Sequence, residues 1–122
     1  MTPVYIADDH QIVLEGLQSS IQSNPNYTVV KCFSNGTDLK NELPIHEKGI
    51  LILDLNLTDY NGIDILEYLQ KEKSCLSVFV LTMYNDLSLI EKCKKLGGKG
   101  YILKNSTNEE LLFAMNLQSV DF

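Results

Sequence analysis

Apolar runs and amphipathic stretches alternate along the chain with a regular beat. Pro3-Val4-Tyr5-Ile6-Ala7 reads as a first strand that runs straight into Asp8-Asp9-His10. Behind it Val13, Leu14, Leu17 and Ile21 recur at helical spacing until Asn24-Pro25-Asn26 stops the helix. Tyr27 to Phe33, dense in β-branched and aromatic residues, predicts a second strand. After the turn Ser34-Asn35-Gly36, a short helix carries Leu39 and Leu43 and ends near Pro44. Gly49-Ile50-Leu51-Ile52-Leu53-Asp54 is continuously apolar up to its last residue, the mark of a strand buried on both faces. Gly62 to Lys73 presents Ile65, Leu66 and Leu69 on one side and charges on the other, a third helix. Leu76 to Leu81 is a fourth strand that ends on Thr82. Asn85 or Asp86 caps a fourth helix carrying Leu87, Ile90 and Cys93, which closes at Gly97-Gly98. Tyr101-Ile102-Leu103 is a short fifth strand ending on Lys104. A last helix starts at Ser106 or Thr107, with Glu110 placed as in a capping box and Leu111, Ala114 and Met115 facing inward.

Five strand-helix units without a hairpin signal predict an α/β fold, a single parallel sheet wound on both faces by right-handed crossovers. In such a sheet ligands bind at the carboxyl ends of the strands, beside the point where strand order reverses. The first strand ends in Asp8 and Asp9, the third in Asp54, the fourth in Thr82 and the fifth in Lys104, whereas the second ends in nothing comparable. Placing the second strand at an edge, in the order 2-1-3-4-5, brings the reactive ends together.

Composition adds bounds. At 122 residues the chain is one domain with a single core. Its cations are all lysines and its formal charge is −6, which opposes non-specific binding to nucleic acid or to an anionic membrane. The start of the chain lacks a basic region ahead of a long apolar run, and no apolar stretch approaches membrane-spanning length, so a cytoplasmic location is expected. Cys32, Cys75 and Cys93 match neither a disulfide framework nor a zinc site and are expected to be buried small hydrophobes. Lys92, Lys94, Lys95 and Lys99 read as a solvated face at a helix end.

Several carboxylates held close repel one another unless a cation sits among them, and hard oxygen donors favour Mg²⁺. An acidic cluster beside a lysine and a threonine points to phosphoryl chemistry. Asp54 is the candidate nucleophile, since an aspartate forms an acyl phosphate and is already ionised at neutral pH. Lys104, with the metal, is placed to offset charge on the phosphoryl oxygens, and Thr82 can donate its hydroxyl to one of them. Singly, each residue has a plainer reading: Asp54 capping the next turn, Asp8-Asp9 capping the first helix, and Thr82 and Lys104 as turn residues. His10 begins the first helix without an evident partner. Only the joint placement at strand ends favours chemistry.

These residues carry a resemblance. Ile6-Ala7-Asp8-Asp9-His10, Leu53-Asp54-Leu55-Asn56-Leu57 with Gly62, Val80-Leu81-Thr82-Met83, and Gly100-Tyr101-Ile102-Leu103-Lys104 resemble the receiver domain of bacterial two-component response regulators, of the NarL/FixJ type. The likeness spans the chain from Pro3 to about Val120, making residues 1–122 one receiver domain with a flavodoxin-like sheet and five helices. It implies that Asp54 accepts a phosphoryl group from a sensor histidine kinase in a reaction needing Mg²⁺ or Mn²⁺. It further implies that Asp9 binds the metal directly, Asp8 chiefly through water, and Asn56 through its backbone carbonyl, with Asp54 completing the site. Thr82 and Lys104 would hold the phosphoryl group. Tyr101 would be the switch that turns inward with Thr82, reshaping the surface of the fourth helix, fifth strand and fifth helix and permitting a phosphorylation-dependent homodimer. Members usually carry a carboxy-terminal helix-turn-helix, so the resemblance places DNA contact in an effector domain beyond Phe122. The receiver itself would be a switch acting only on its own phosphate.

The chain departs from the family pattern in two places. Thr58 stands four residues after Asp54 where proline is common, and Asn105 follows Lys104 where proline is also common, which makes a trans bond there the expectation. Two alternatives stay open. Asp54-Leu55-Asn56-Leu57-Thr58 approaches the nucleophile loop of haloacid dehalogenase-type phosphohydrolases, although Asn56 stands where their acid/base aspartate belongs. A receiver kept only as a phosphorylation-independent dimerisation module is the other.

Overall fold

The computed structural model describes residues 1–106 and 108–117. The order is β1 (Thr2–Ala7), α1 (Gln11–Gln22), β2 (Tyr27–Phe33), α2 (Gly36–Glu42), β3 (Gly49–Asp54), α3 (Gly62–Lys71), β4 (Leu76–Thr82), α4 (Leu87–Lys95), β5 (Gly100–Leu103) and α5 (Asn108–Leu117). All strand pairings are parallel and the sheet order is β2-β1-β3-β4-β5, the order expected from the distribution of reactive strand ends.

The uninterrupted apolar run of β3 follows from its central place. Leu51 and Leu53 pack with Val78 and Val80 of β4 against Leu39 of α2, Ile65, Leu66 and Leu69 of α3 and Cys93 of α4. Ile50 and Ile52 point the other way, with Phe79 and Leu81, against Leu14, Leu17 and Ile21 of α1 and Leu111 and Met115 of α5. Period-two alternation thus feeds two cores, and a polar residue anywhere inside β3 would be buried on one of them. At about 25 cal/mol per Å² of apolar surface, each leucine or isoleucine fully buried here contributes about 2 kcal/mol.

Local chemistry sets the helix starts. Asn35, Asn61 and Asp86 each accept a backbone N–H of the first turn that follows. The helix stop at Gly97 has φ +89°, a conformation that suits glycine. Gly62 is needed for a different reason: a Cβ there would lie 2.6 Å from Leu55 Cα, so glycine alone lets α3 start this close to the end of β3.

Three expectations need correction. Cys93 is the one fully buried residue of α4, flanked by half-buried Leu89 and by half-buried Leu96 at the helix end, both packed on the same core; Ile90 is half-buried, and Leu87, the first helical residue, is 78% exposed. Cys75 is exposed, since it lies in the α3–β4 connection one residue before the strand enters the core; Cys32 is half-buried on edge strand β2, and only Cys93 is fully buried. Ala114 is half-buried where burial was expected, beside buried Leu111 and Met115. The four lysines of the α4 end are exposed as expected. A cap by Thr107 lies outside the described residues. The peptide after Lys104 is trans, the one cis bond among the described residues being Leu43–Pro44. No helix among the described residues is long and apolar enough to cross a membrane.

Candidate functional site

The carboxyl ends of β1, β3, β4 and β5 form a single cluster. Asp54, the last residue of β3, is fully buried, and its two oxygens have separate partners. Oδ1 accepts the Asn56 N–H at 2.9 Å, the turn-capping role, while Oδ2 accepts a hydrogen bond from Lys104 Nζ at 2.9 Å. The turn-capping expectation for Asp54 is thus met by Oδ1, while Oδ2 faces the lysine ammonium. Lys104 reaches inward from the end of β5, its backbone N–H held by the Thr82 carbonyl at 2.7 Å, and its side chain is only 10% exposed. Its Nζ also lies 3.3 Å from Asp8 Oδ2.

Asp8 is buried completely and Asp9 in part, its side chain 14% exposed. Burial, more than any neighbour, pushes the Asp8 carboxyl above the ordinary carboxylate range; the His10 N–H lowers it, Asp54 raises it further and Lys104 draws it back. For Lys104 burial works against the charge, but the hydrogen bond and charge of Asp54, together with Asp8, outweigh it and hold the ammonium above the usual lysine value. The site therefore carries more buried negative charge than its one ammonium offsets.

One ligand atom each from Asp8, Asp9, His10 and Asp54 lie within 4.8 Å of one another. Asp8 Oδ2 and Asp9 Oδ1 are buried and accept no hydrogen bond, with Lys104 Nζ at 3.3 Å from the first and His10 Nδ1 at 3.4 Å from the second. Unsatisfied carboxylate oxygens at this depth are costly, and hard oxygen donors of this kind fit a divalent cation.

Thr82 is fully buried at the end of β4, one position beyond the register partner of Asp54. Its Oγ1 accepts the Tyr84 N–H at 3.2 Å, and the Tyr101 hydroxyl donates to the Tyr84 carbonyl. Both expected switch residues thus grip one peptide segment. Tyr101 is half-buried against the core, and burial raises its phenol above the usual range, keeping it a donor. Asn56 is exposed and touches Asp54 through its N–H.

Three partners were not foreseen from the sequence. The His10 ring sits in the cluster, with Nδ1 at 2.8 Å from Lys104 Nζ, 3.2 Å from Asp8 and 3.4 Å from Asp9, so the expectation that it lacks a partner is corrected. Thr58 donates both its N–H (3.0 Å) and its hydroxyl (2.9 Å) to Asp9 Oδ2. Asp59 accepts the Gly36 N–H (2.7 Å), the Thr37 N–H (2.9 Å) and the Thr37 hydroxyl (2.6 Å) at the start of α2, which draws its carboxyl down to about 2.

Residues 4–116 match the family model described as response regulator receiver domain. The transcriptional regulatory protein YdfI of Bacillus subtilis is 35% identical over 119 residues, covering 95% of this chain and 54% of the relative. The transcriptional regulatory protein RcsB of Escherichia coli K12 is 34% identical over 111 residues, covering 88% of this chain and 51% of RcsB. The chain thus spans about half the length of the curated relatives it matches. A solved structure of RcsB from Salmonella enterica serovar Typhimurium, bound to promoter rprA in the presence of the phosphomimetic BeF₃⁻, superposes with a TM-score of 0.82 at 31% identity, covering 97% of this chain and 98% of that one. With a sheet of order 2-1-3-4-5, reactive groups at four strand ends and these likenesses, the chain belongs to the response regulator receiver domain family.

Proposed function

We propose that the chain is the phosphoacceptor switch of a two-component system, with Asp54 taking a phosphoryl group from a sensor histidine kinase. The observation that carries this is the setting of Asp54: a fully buried carboxylate on the central strand, 2.9 Å from a lysine ammonium and clustered with Asp8, Asp9 and His10. Asp8, Asp9, Asp54 and the Asn56 carbonyl would hold Mg²⁺ or Mn²⁺, which when bound supplies positive charge to the phosphoryl oxygens. An Asp54 carboxylate oxygen attacks phosphorus in line, the phosphorus–nitrogen bond of the donor phosphohistidine breaks with its electron pair going to the nitrogen, and the departing imidazole takes a proton from solvent. Lys104 exchanges its contact with Asp54 for the new phosphoryl oxygens, a role suited to a compact charge on a flexible stem.

The Thr82 hydroxyl then turns toward the phosphoryl group and leaves the Tyr84 N–H. Tyr84 also accepts the Tyr101 hydroxyl through its carbonyl, so displacing this segment removes one of the holds on Tyr101 as it turns inward. The result is a population shift in the surface of α4, β5 and α5, biased by the phosphate's better contacts in one packing. RcsB and YdfI bear the description transcriptional regulatory protein, which supports transcription control as the output here, exerted on DNA through a helix-turn-helix domain outside this chain and helped by a phosphorylation-dependent homodimer.

Incubation with a small-molecule phosphodonor and Mg²⁺ tests the assignment by intact mass. Wild type is expected to gain one phosphoryl group and Asp54→Ala none. Labelling of Asp54→Ala to the same extent, or no labelling of wild type, would refute it, the latter favouring a dimerisation module.

A further inference from the structure

We infer that Thr58 is a positioning residue for the metal site: it fixes the Asp9 carboxylate so that one oxygen is left for the cation. The inference rests on the divalent-cation site proposed above, and it concerns a residue that the site's strand-end logic does not include. Both Thr58 donors converge on a single oxygen, Asp9 Oδ2, at 3.0 Å from the backbone N–H and 2.9 Å from Oγ1. The other oxygen, Oδ1, is buried, has no hydrogen-bond donor, and lies 3.4 Å from His10 Nδ1 on the cluster side. A carboxylate free to rotate would present either oxygen and share its time among orientations. Two bonds to Oδ2 remove that freedom and leave Oδ1 as the acceptor still to be satisfied.

Thr58 can do this because its own loop is anchored. The next residue, Asp59, is bonded three times to the first residues of α2. The loop is closed at its base by the Gly62 N–H on the Leu55 carbonyl at 2.9 Å. Thr58 is thus a fixed platform. Proline at this position would have neither an N–H nor a hydroxyl, so both bonds depend on the residue this chain carries.

The test is Mg²⁺ titration of the 122-residue chain without phosphodonor, followed by calorimetry and by amide shifts of Asp9 and Asn56 in nuclear magnetic resonance spectra. Thr58→Val keeps the shape and removes the hydroxyl donor; Thr58→Pro removes both donors; Thr58→Ser restores the hydroxyl. Loss of such an outer hydrogen bond to a ligand lowers metal affinity by about tenfold or more, so Thr58→Val is expected to bind Mg²⁺ about tenfold more weakly and Thr58→Pro more weakly still. Thr58→Ser is expected to stay within about twofold of wild type, a rescue that loop damage alone would not give. Equal or tighter binding by Thr58→Val would overturn the inference while leaving the metal site standing, because Thr58 would then be idle or a competitor for Asp9. Absence of Mg²⁺ binding in wild type would overturn both. Should Thr58→Pro unfold, Thr58→Val and Thr58→Ser still decide.

Discussion

Asp8→Asn separates the charge logic of the site from its fold. Asp8 is fully buried, and ligand atoms of Asp9 and Asp54 lie within 4.8 Å of its own. At an effective dielectric of about 20, each of these carboxylates repels the Asp8 charge by about 3.5 kcal/mol. Lys104 Nζ at 3.3 Å attracts it by about 5 kcal/mol on the same scale. These opposing Coulomb contributions differ by about 2 kcal/mol, and desolvation by burial is the largest effect against the Asp8 charge, the direction in which its pKa is moved. Asparagine keeps an acceptor for the His10 N–H, which now bonds Asp8 Oδ1 at 2.8 Å. In chelator, Asp8→Asn is therefore expected to be more stable than wild type by about 2 kcal/mol, or about 8 °C in melting temperature. Saturating Mg²⁺ reverses the order. At about 100 times its Kd a ligand adds about 2.7 kcal/mol to the protein that binds it, which wild type gains and the variant largely loses. Urea and thermal unfolding in chelator and in Mg²⁺ read both halves. A variant less stable than wild type in chelator, or one equally stabilised by Mg²⁺, would refute the premise that Asp8 is an uncompensated charge awaiting a cation.

Lys104→Met leaves Asp54 and Asp8 buried without their ammonium, and removing one partner of a buried pair costs about 3–5 kcal/mol, so the urea midpoint should fall clearly. Because the folded-state pKa of Lys104 is raised, its contribution is complete below the ordinary value of 10.5 and is lost only as pH climbs through the folded value; a wild-type advantage already gone at neutral pH would contradict this. For Asp59 the sign is opposite. Its folded value is lowered to about 2, so its contribution is present above the ordinary 3.8 and disappears as pH falls from there toward 2, a window in which the stability difference from Asp59→Asn should close. A difference that stays constant across that window would show that the α2 contact does not depend on the carboxylate's charge.

The strand-end residues were legible because their placement follows from period and topology alone. Once β3 is recognised by its unbroken Ile50–Leu53 run, the parallel order puts Asp54 beside the ends of β1 and β4, and no contact has to be guessed. Thr58 and Asp59 were not legible in the same way. Their partners are 49 residues away at Asp9 and 22 to 23 residues away at α2, and they meet through loop geometry that no periodicity encodes. His10 was missed for a related reason: its neighbours in sequence suggest a helix start, and its ring partner Lys104 comes from the far end of the chain. The misplacement of Leu87 has another origin. An apolar residue in the first turn fits a helical stripe on paper, but α4 packs through Leu89, Cys93 and Leu96, which lie one face further round.

The distribution of these tethers bears on where a change at Asp54 is felt. On one side, the β3–α3 loop is fastened to Asp9 by Thr58 and to α2 by Asp59, and β1 and β3 lie inside the sheet. On the other, the segment after β4 leaves Met83 and Tyr84 67% and 62% exposed, and Tyr84 is held through its backbone by the two residues expected to move, Thr82 and Tyr101. Structure that opens with little loss of burial responds first to a local perturbation. A phosphoryl group that recruits the Thr82 hydroxyl removes one of those two holds, whereas the contacts of Thr58 and Asp59 do not involve Thr82 at all. If Asp54 is phosphorylated as proposed, the segment after β4 is where the loss of the Thr82 contact would be felt first, since the Thr58 and Asp59 contacts do not pass through Thr82.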